Sequence, residues 1–233
     1  MSPRSSDRTG NLDAERRQEV ELALADVLDP ELDEPLIDLG FIDDLEIVGD
    51  AVRIRLRLPT FWCSANFVYI MGEDMIAALG GVSWISSATV ELVDHFAAKK
   101  INDGLAKGLG FQKVFGVEAA DGLDAIRTTF RDKSYLSRQA KLIQALRREK
   151  HSADAITTMT IADLERRADG EDRSSAKEAR RYLEARRLRS DTPENPRSLA
   201  FLDLDGLAIP ANRLLDHLPV SYTHLTLPTT PYV

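Results

Sequence analysis

Apolar positions recur along the first hundred residues with two different periods, and the switches between them predict the elements. Val20, Leu24, Val27 and Leu28 fall at the i, i+4, i+7, i+8 spacing of one helical stripe, with Glu15, Arg16, Glu19 and Asp26 turned away. They predict a helix over 13–28, capped by Asn11 or Asp13 and ended by Asp29-Pro30, because a residue before proline is pushed out of the α region. The period then drops to two. Val52, Ile54, Leu56 and Leu58 alternate with Arg53, Arg55 and Arg57, as a strand with one buried face requires. Leu45 and Ile47 supply the strand before it, with Gly49-Asp50 as the turn. A two-residue turn sets Ile47 against Val52 and Leu45 against Ile54. The same register sets Glu46 against Arg53 and Asp44 against Arg55, and leaves Arg57 without an obvious cross-strand acid. A second helix follows over 64–79, with Phe67, Met71, Met75 and Ala78 along one side and Gly80-Gly81 as its stop. Ala88, Val90 and Leu92 predict a third strand over 87–93. The order helix, strand, strand, helix, strand predicts an α/β fold: a small two-layer α-β sandwich with its helices on one sheet face.

Beyond residue 95 the pattern is helical, with candidate helices over 97–109, 123–130, 136–150, 161–168 and 174–189. A turn-rich break spans 191–196, and Leu199 to Leu204 with Asp205-Gly206 suggests a short strand and turn. A last helix begins at Ala211. The stretch 131–189 is rich in Arg and Lys interleaved with acids, the pattern of a solvated helix surface. From Val220 the composition shifts abruptly to Thr, Pro and Tyr. The run resembles the translation of a transposase-type sequencing adapter, as found at the ends of metagenomic gene sequences. The expected organisation is a disordered terminus over 1–10, an α/β domain over 11–95, a helical extension over 96–219 whose natural end is missing, and a non-native tail over 220–233.

Charge and cysteine content narrow the classes. The net charge of −8 gives no reason to expect nucleic-acid binding. A single cysteine excludes an internal disulfide framework and fits a reducing compartment. The polar N-terminus lacks the apolar core of a signal peptide, and no apolar run approaches the roughly 20 residues of a membrane helix. A cytoplasmic protein without membrane attachment is expected.

Chemistry concentrates at two places. Cys63 stands where the second strand gives way to the second helix, in Leu58-Pro-Thr-Phe-Trp-Cys-Ser64. A thiol at a helix N-terminus meets the positive end of the dipole and free N–H groups, which favour thiolate, the form that binds iron. Alternatively, a lone cysteine is a small buried hydrophobe. The second place is the loop before the hairpin, with Asp29-Pro30-Glu31 and Asp38-Leu39-Gly40. These are also good turn formers, and Gly40 suits a positive φ. The candidate site is Cys63 with Asp29, Glu31, Asp38, Gly40, Thr60 and Ser64, and His95 after the third strand is a further metal ligand to test. His151 and His217 show no zinc spacing.

A helix, then Asp-Pro-Glu-Leu, then Ile-Asp-Leu-Gly, a charged hairpin and a cysteine opening the next helix resemble, as an ordered set over 11–95, the iron–sulfur cluster assembly-factor family. That family, also called metal–sulfur cluster biosynthesis proteins, includes cytosolic cluster-targeting factors of eukaryotes and bacterial phenylacetyl-CoA oxygenase assembly proteins. Trp62 and Ser64 replace the Gly and Pro that flank the cysteine in many relatives, and Asp94-His95-Phe96 replaces a Pro-rich Trp segment. The resemblance implies delivery or assembly of iron–sulfur clusters, with Cys63 and the Asp29 and Asp38 loops as the site. Long relatives with a helical extension look like those accompanying bacterial multicomponent monooxygenases. A cluster takes four ligands, usually thiolates, and one cysteine cannot supply them. The expected cofactor is therefore a transient cluster, completed by a partner or by the mate in a homodimer. The expected partners are client apo-proteins and other cluster-assembly proteins. The expectation is a non-enzymatic maturation factor. The alternative is a scaffold or chaperone for an oxygenase in which Cys63 only packs. A thiol enzyme ranks last, because no base lies at a recognisable spacing.

Overall fold

The computed structural model describes residues 6–116, 122–170, 175–189 and 195–216. The chain forms two compact units, dividing between Arg127 and Thr128. The first carries α1 (Ser6–Leu24), β1 (Ile42–Val48), β2 (Ala51–Arg57), α2 (Ala65–Gly80), β3 (Ser87–Val93), α3 (Ala98–Ala106) and α4 (Phe111–Phe115). It runs past the edge expected at His95, because Ile101, Leu105, Phe111 and Phe115 share a core with Val20, Leu24, Ile54, Leu56, Met71 and Met75. The adapter-like tail and His217 lie outside the described residues.

The sheet order is β1-β2-β3, antiparallel between β1 and β2 and parallel between β2 and β3. A parallel pair cannot be joined by a tight turn, so α2 serves as the crossover. Ile47 opposes Val52, Leu45 opposes Ile54, Glu46 opposes Arg53 and Asp44 opposes Arg55, as the alternation predicts. The register shifts once, between Ile42 and Asp44. That irregularity corrects the reading of Arg57: Asp43 turns onto the outer face, pairs with Arg57 at 2.9 Å and lies 3.9 Å from Arg55, while Asp94 also pairs with Arg57. Arg55 therefore shares Asp43. The guanidinium of Arg57 beside Asp43 holds its carboxyl below the usual range.

Helix α1 begins at Ser6, inside the stretch expected to be disordered, and ends at Leu24 rather than near Leu28. The residues after it leave the helix to pair with the returning loop. Leu36 N–H donates to the Val27 carbonyl at 2.9 Å and Asp29 N–H to that of Glu34 at 2.9 Å, with a bridge between Leu28 and Pro35. Against β3's open side, the amide of Asn102 on α3 accepts from Leu92 N–H at 2.8 Å and donates to its carbonyl at 3.0 Å, standing in for a fourth strand. Helix α3 approaches closely because Gly104 carries no side chain: a Cβ there would lie 2.5 Å from Val114 Cγ2 and 2.8 Å from the Tyr69 hydroxyl.

The second unit holds the continuation of α5 (Gly122–Arg148), then α6 (Ala153–Thr157), α7 (Ile161–Ala168) and α8 (Ala176–Arg189). The two helices expected over 123–130 and 136–150 are one, since nothing between Phe130 and Leu136 breaks a helix. The strand expected over 199–204 is reduced to isolated bridges of Leu199 to Thr160 and Leu202 to Ala208. The helix expected from Ala211 is a single 3-10 turn over Ala211–Arg213. Leu142, Ile143, Leu146, Leu164 and Phe201 form the core, with Gln139 joined to the hydroxyl of Tyr182 at 2.9 Å and the Leu202 carbonyl at 2.8 Å. The arginine-rich stretch is not all solvated surface. Arg138, Arg167 and Arg186 are buried, their planar guanidinium forks meeting backbone carbonyls and carboxylates. Arg138 binds the Arg181 carbonyl at 2.9 Å and Glu184 at 2.7 Å, and Arg167 binds Glu149 at 2.6 Å.

Candidate functional site around Cys63

Strand β2 delivers the chain to Leu58 and Pro59, and the turn over 60–63 leads into α2. Ser64 occupies the N-cap position with extended backbone, but its hydroxyl makes no cap bond. Cys63 therefore sits one residue outside the helix rather than within its first turn. It is half-buried, packing against the core of the first unit. The Thr60 side chain and the Ser64 backbone lie near its sulfur and favour the anion. Burial outweighs them, and the carboxylates of Asp29 and Glu31 push the same way, so the thiol pKa is raised above its ordinary value. The expectation of a poised thiolate is thereby corrected: near neutral pH, Cys63 rests protonated.

The acidic loop is built by its own turn chemistry. Asp29, buried, accepts through Oδ1 from Glu31 N–H at 2.8 Å and Leu32 N–H at 2.7 Å, while Asp33 N–H donates to the Asp29 carbonyl at 2.9 Å. This turn needs Asp33 at φ 56°, and the next one needs Gly40 at φ 70°. Gly40 thus serves the backbone. Asp38 is exposed in that second turn, and the charges that act on Cys63 are those of Asp29 and Glu31.

His95 is buried and fully engaged. Ala97 N–H donates to Nδ1 at 3.2 Å, so Nδ1 carries no proton; Nε2 therefore holds it and donates to the Cys63 carbonyl at 2.8 Å. Burial lowers its pKa, which keeps the ring neutral. With both nitrogens used, His95 positions the backbone of Cys63, and the metal-ligand reading fails on geometry. A parallel bond from Phe96 N–H to the Phe61 carbonyl at 3.2 Å makes a two-point clamp between the end of β3 and the loop bearing Cys63.

Three aromatic residues missed in the sequence surround this clamp. Trp62 stacks on Phe96 with ring centres 5.8 Å apart, and Phe61 meets Trp62 edge-on at 4.9 Å. All three stand exposed, Trp62 at 76%. The available signal was an aromatic pair in a loop, outside any apolar period.

Among the described residues no group of three His, Cys, Asp or Glu could hold a metal ion. No helix among the described residues is long and apolar enough to cross a membrane.

Residues 17–92 match the family model described as iron–sulfur cluster assembly protein. The match begins in α1 and ends in β3, so it takes in the acidic turn, the sheet and Cys63. Over that segment the chain is similar to the family its motifs resemble, and the match supports a general role in iron–sulfur cluster assembly. A comparison with curated proteins gives no match.

Proposed function

We propose that this protein is a non-enzymatic cytoplasmic factor that receives an iron–sulfur cluster transiently and passes it to client apo-proteins, with components of a bacterial multicomponent monooxygenase as the clients. The observation that carries this reading is the assembly-family match over residues 17–92, which includes one partly accessible thiol within reach of the Asp29 and Glu31 charges. One sulfur per chain favours handing over above storage, since each remaining ligand belongs to a donor, an acceptor or a second copy. Binding a cluster also displaces the thiol proton, so loading strengthens as pH rises. The test is anaerobic reconstitution with iron and sulfide, comparing wild type with Cys63→Ala by absorption and iron content, then transfer to an apo-ferredoxin. Iron held by wild type and lost in the variant supports the reading; equal iron in both, or none in either, overturns it.

A second reading is a scaffold in which Cys63 only packs, favoured by the burial that raises its pKa. An oxygenase operon beside the gene would support the monooxygenase clients in either case.

A further inference from the structure

The aromatic cluster is costly as a free surface. Phe61, Trp62 and Phe96 are 47%, 76% and 42% exposed, and Leu32 on the acidic loop is 53% exposed. Water gains nothing from stacked rings held open by a backbone clamp, whereas aromatic anchors of this kind dominate binding energy at protein interfaces. The clamp also makes the platform pre-organised: the Phe61 carbonyl, the Cys63 carbonyl and the His95 ring fix the loop from which the rings project.

The neighbouring charge selects the occupant. Residues 29–38 hold five carboxylates and no Lys, Arg or His; Asp29 and Asp33 are buried, Glu34 is half-buried, and Glu31 and Asp38 stand exposed. Asp29 and Glu31 lie close enough to Cys63 for their charge to act on it, and Trp62 is its chain neighbour. A second copy docking two-fold through the rings would bring two such loops together, with like charges facing. A basic segment meets the opposite sign.

We propose that Phe61, Trp62 and Phe96, with the acidic loop over 29–38, form a docking surface for a client segment that carries aliphatic or aromatic anchors flanked by Lys or Arg, seated beside Cys63. Calling the partner a client rests on the cluster-transfer reading; the surface itself does not.

The test uses the full chain without iron or sulfide, so failed cluster loading leaves its result intact. Three fluorescein-labelled peptides are compared by anisotropy: one of Lys with Leu and Phe, one with Glu replacing Lys, and one with Ser replacing Leu and Phe. The basic apolar peptide binds at least about tenfold more tightly than the other two. Trp62→Ser and Phe96→Ser each weaken it about tenfold, with unchanged thermal melting, and Glu31→Lys weakens it further as salt is lowered. Equal binding of the three peptides, or wild-type binding by both ring variants, overturns the proposal. So does self-association in sedimentation that Trp62→Ser abolishes, which would make the occupant a second copy.

Discussion

The imidazole of His95 holds the main chain of Cys63: Nε2–H donates to the Cys63 carbonyl at 2.8 Å while Nδ1 accepts from Ala97 N–H at 3.2 Å. The bond from Ala97 N–H needs the neutral ring, whereas the bond to the Cys63 carbonyl survives protonation. Because burial lowers the folded-state pKa, the unfolded chain binds a proton more readily than the native one. The stabilisation is therefore complete above the ordinary histidine value of about 6.5 and is lost as pH falls through the lower folded value. Urea unfolding followed from about pH 7 to about pH 5 should show this loss in wild type. His95→Gln, whose amide can donate and accept in the same two directions, should flatten it. His95→Ala should cost about 1–3 kcal/mol at neutral pH by orphaning the carbonyl.

The protonated state of Cys63 sets its reactivity. Iodoacetamide should modify it more slowly near neutral pH than it modifies free cysteine, with the rate climbing until pH exceeds the ordinary thiol range. Asp29→Asn keeps an oxygen for the turn's two N–H groups and removes the charge, so it should speed alkylation. An unchanged rate would mean that burial alone controls the thiol.

Asn102 closes the open side of β3. Replacing it by Leu leaves Leu92 N–H and its carbonyl without partners, at a cost of about 1–3 kcal/mol, and exposes a strand edge. Thermal unfolding and light scattering should report a lower midpoint together with self-association.

Close packing of α3 depends on Gly104. Gly104→Ala should destabilise by about 1–3 kcal/mol, since the added methyl meets Val114 and the Tyr69 hydroxyl. Gly80→Ala, at the end of α2 with nothing within 4 Å, should be neutral or stabilising by up to about 1 kcal/mol. Denaturant midpoints of the pair test the geometry.

The sheet was legible because two independent faces of β1 and β2 agreed on one register, and a shift of one residue would have turned every Arg inward. The end of α1 was not. Val27 and Leu28 continue the helical stripe, but the carbonyl of Val27 is worth more to Leu36, a partner the local pattern does not reveal. Helices of five residues such as α4 and α6 are too short to show a period. In the second unit, Arg138 and Arg186 look solvated in sequence and are buried because the Arg181 and Leu199 carbonyls, distant in the chain, receive them. At the site, the grouping of Cys63 with Thr60, Ser64, Asp29 and Glu31 was readable from motif order. The proton on the sulfur was not, because it depends on through-space charge and burial that only the folded chain brings together.

The turn at Asp29 has a consequence for the thiol beside it. Negative oxygens near a sulfur atom discourage its ionisation while nothing is bound, which shields it from oxidants that attack only the charged form. Under the cluster-transfer proposal, a ferrous or ferric centre reaching the sulfur would invert the sign of that influence, and the oxygens that keep the atom dormant would attract the incoming cation.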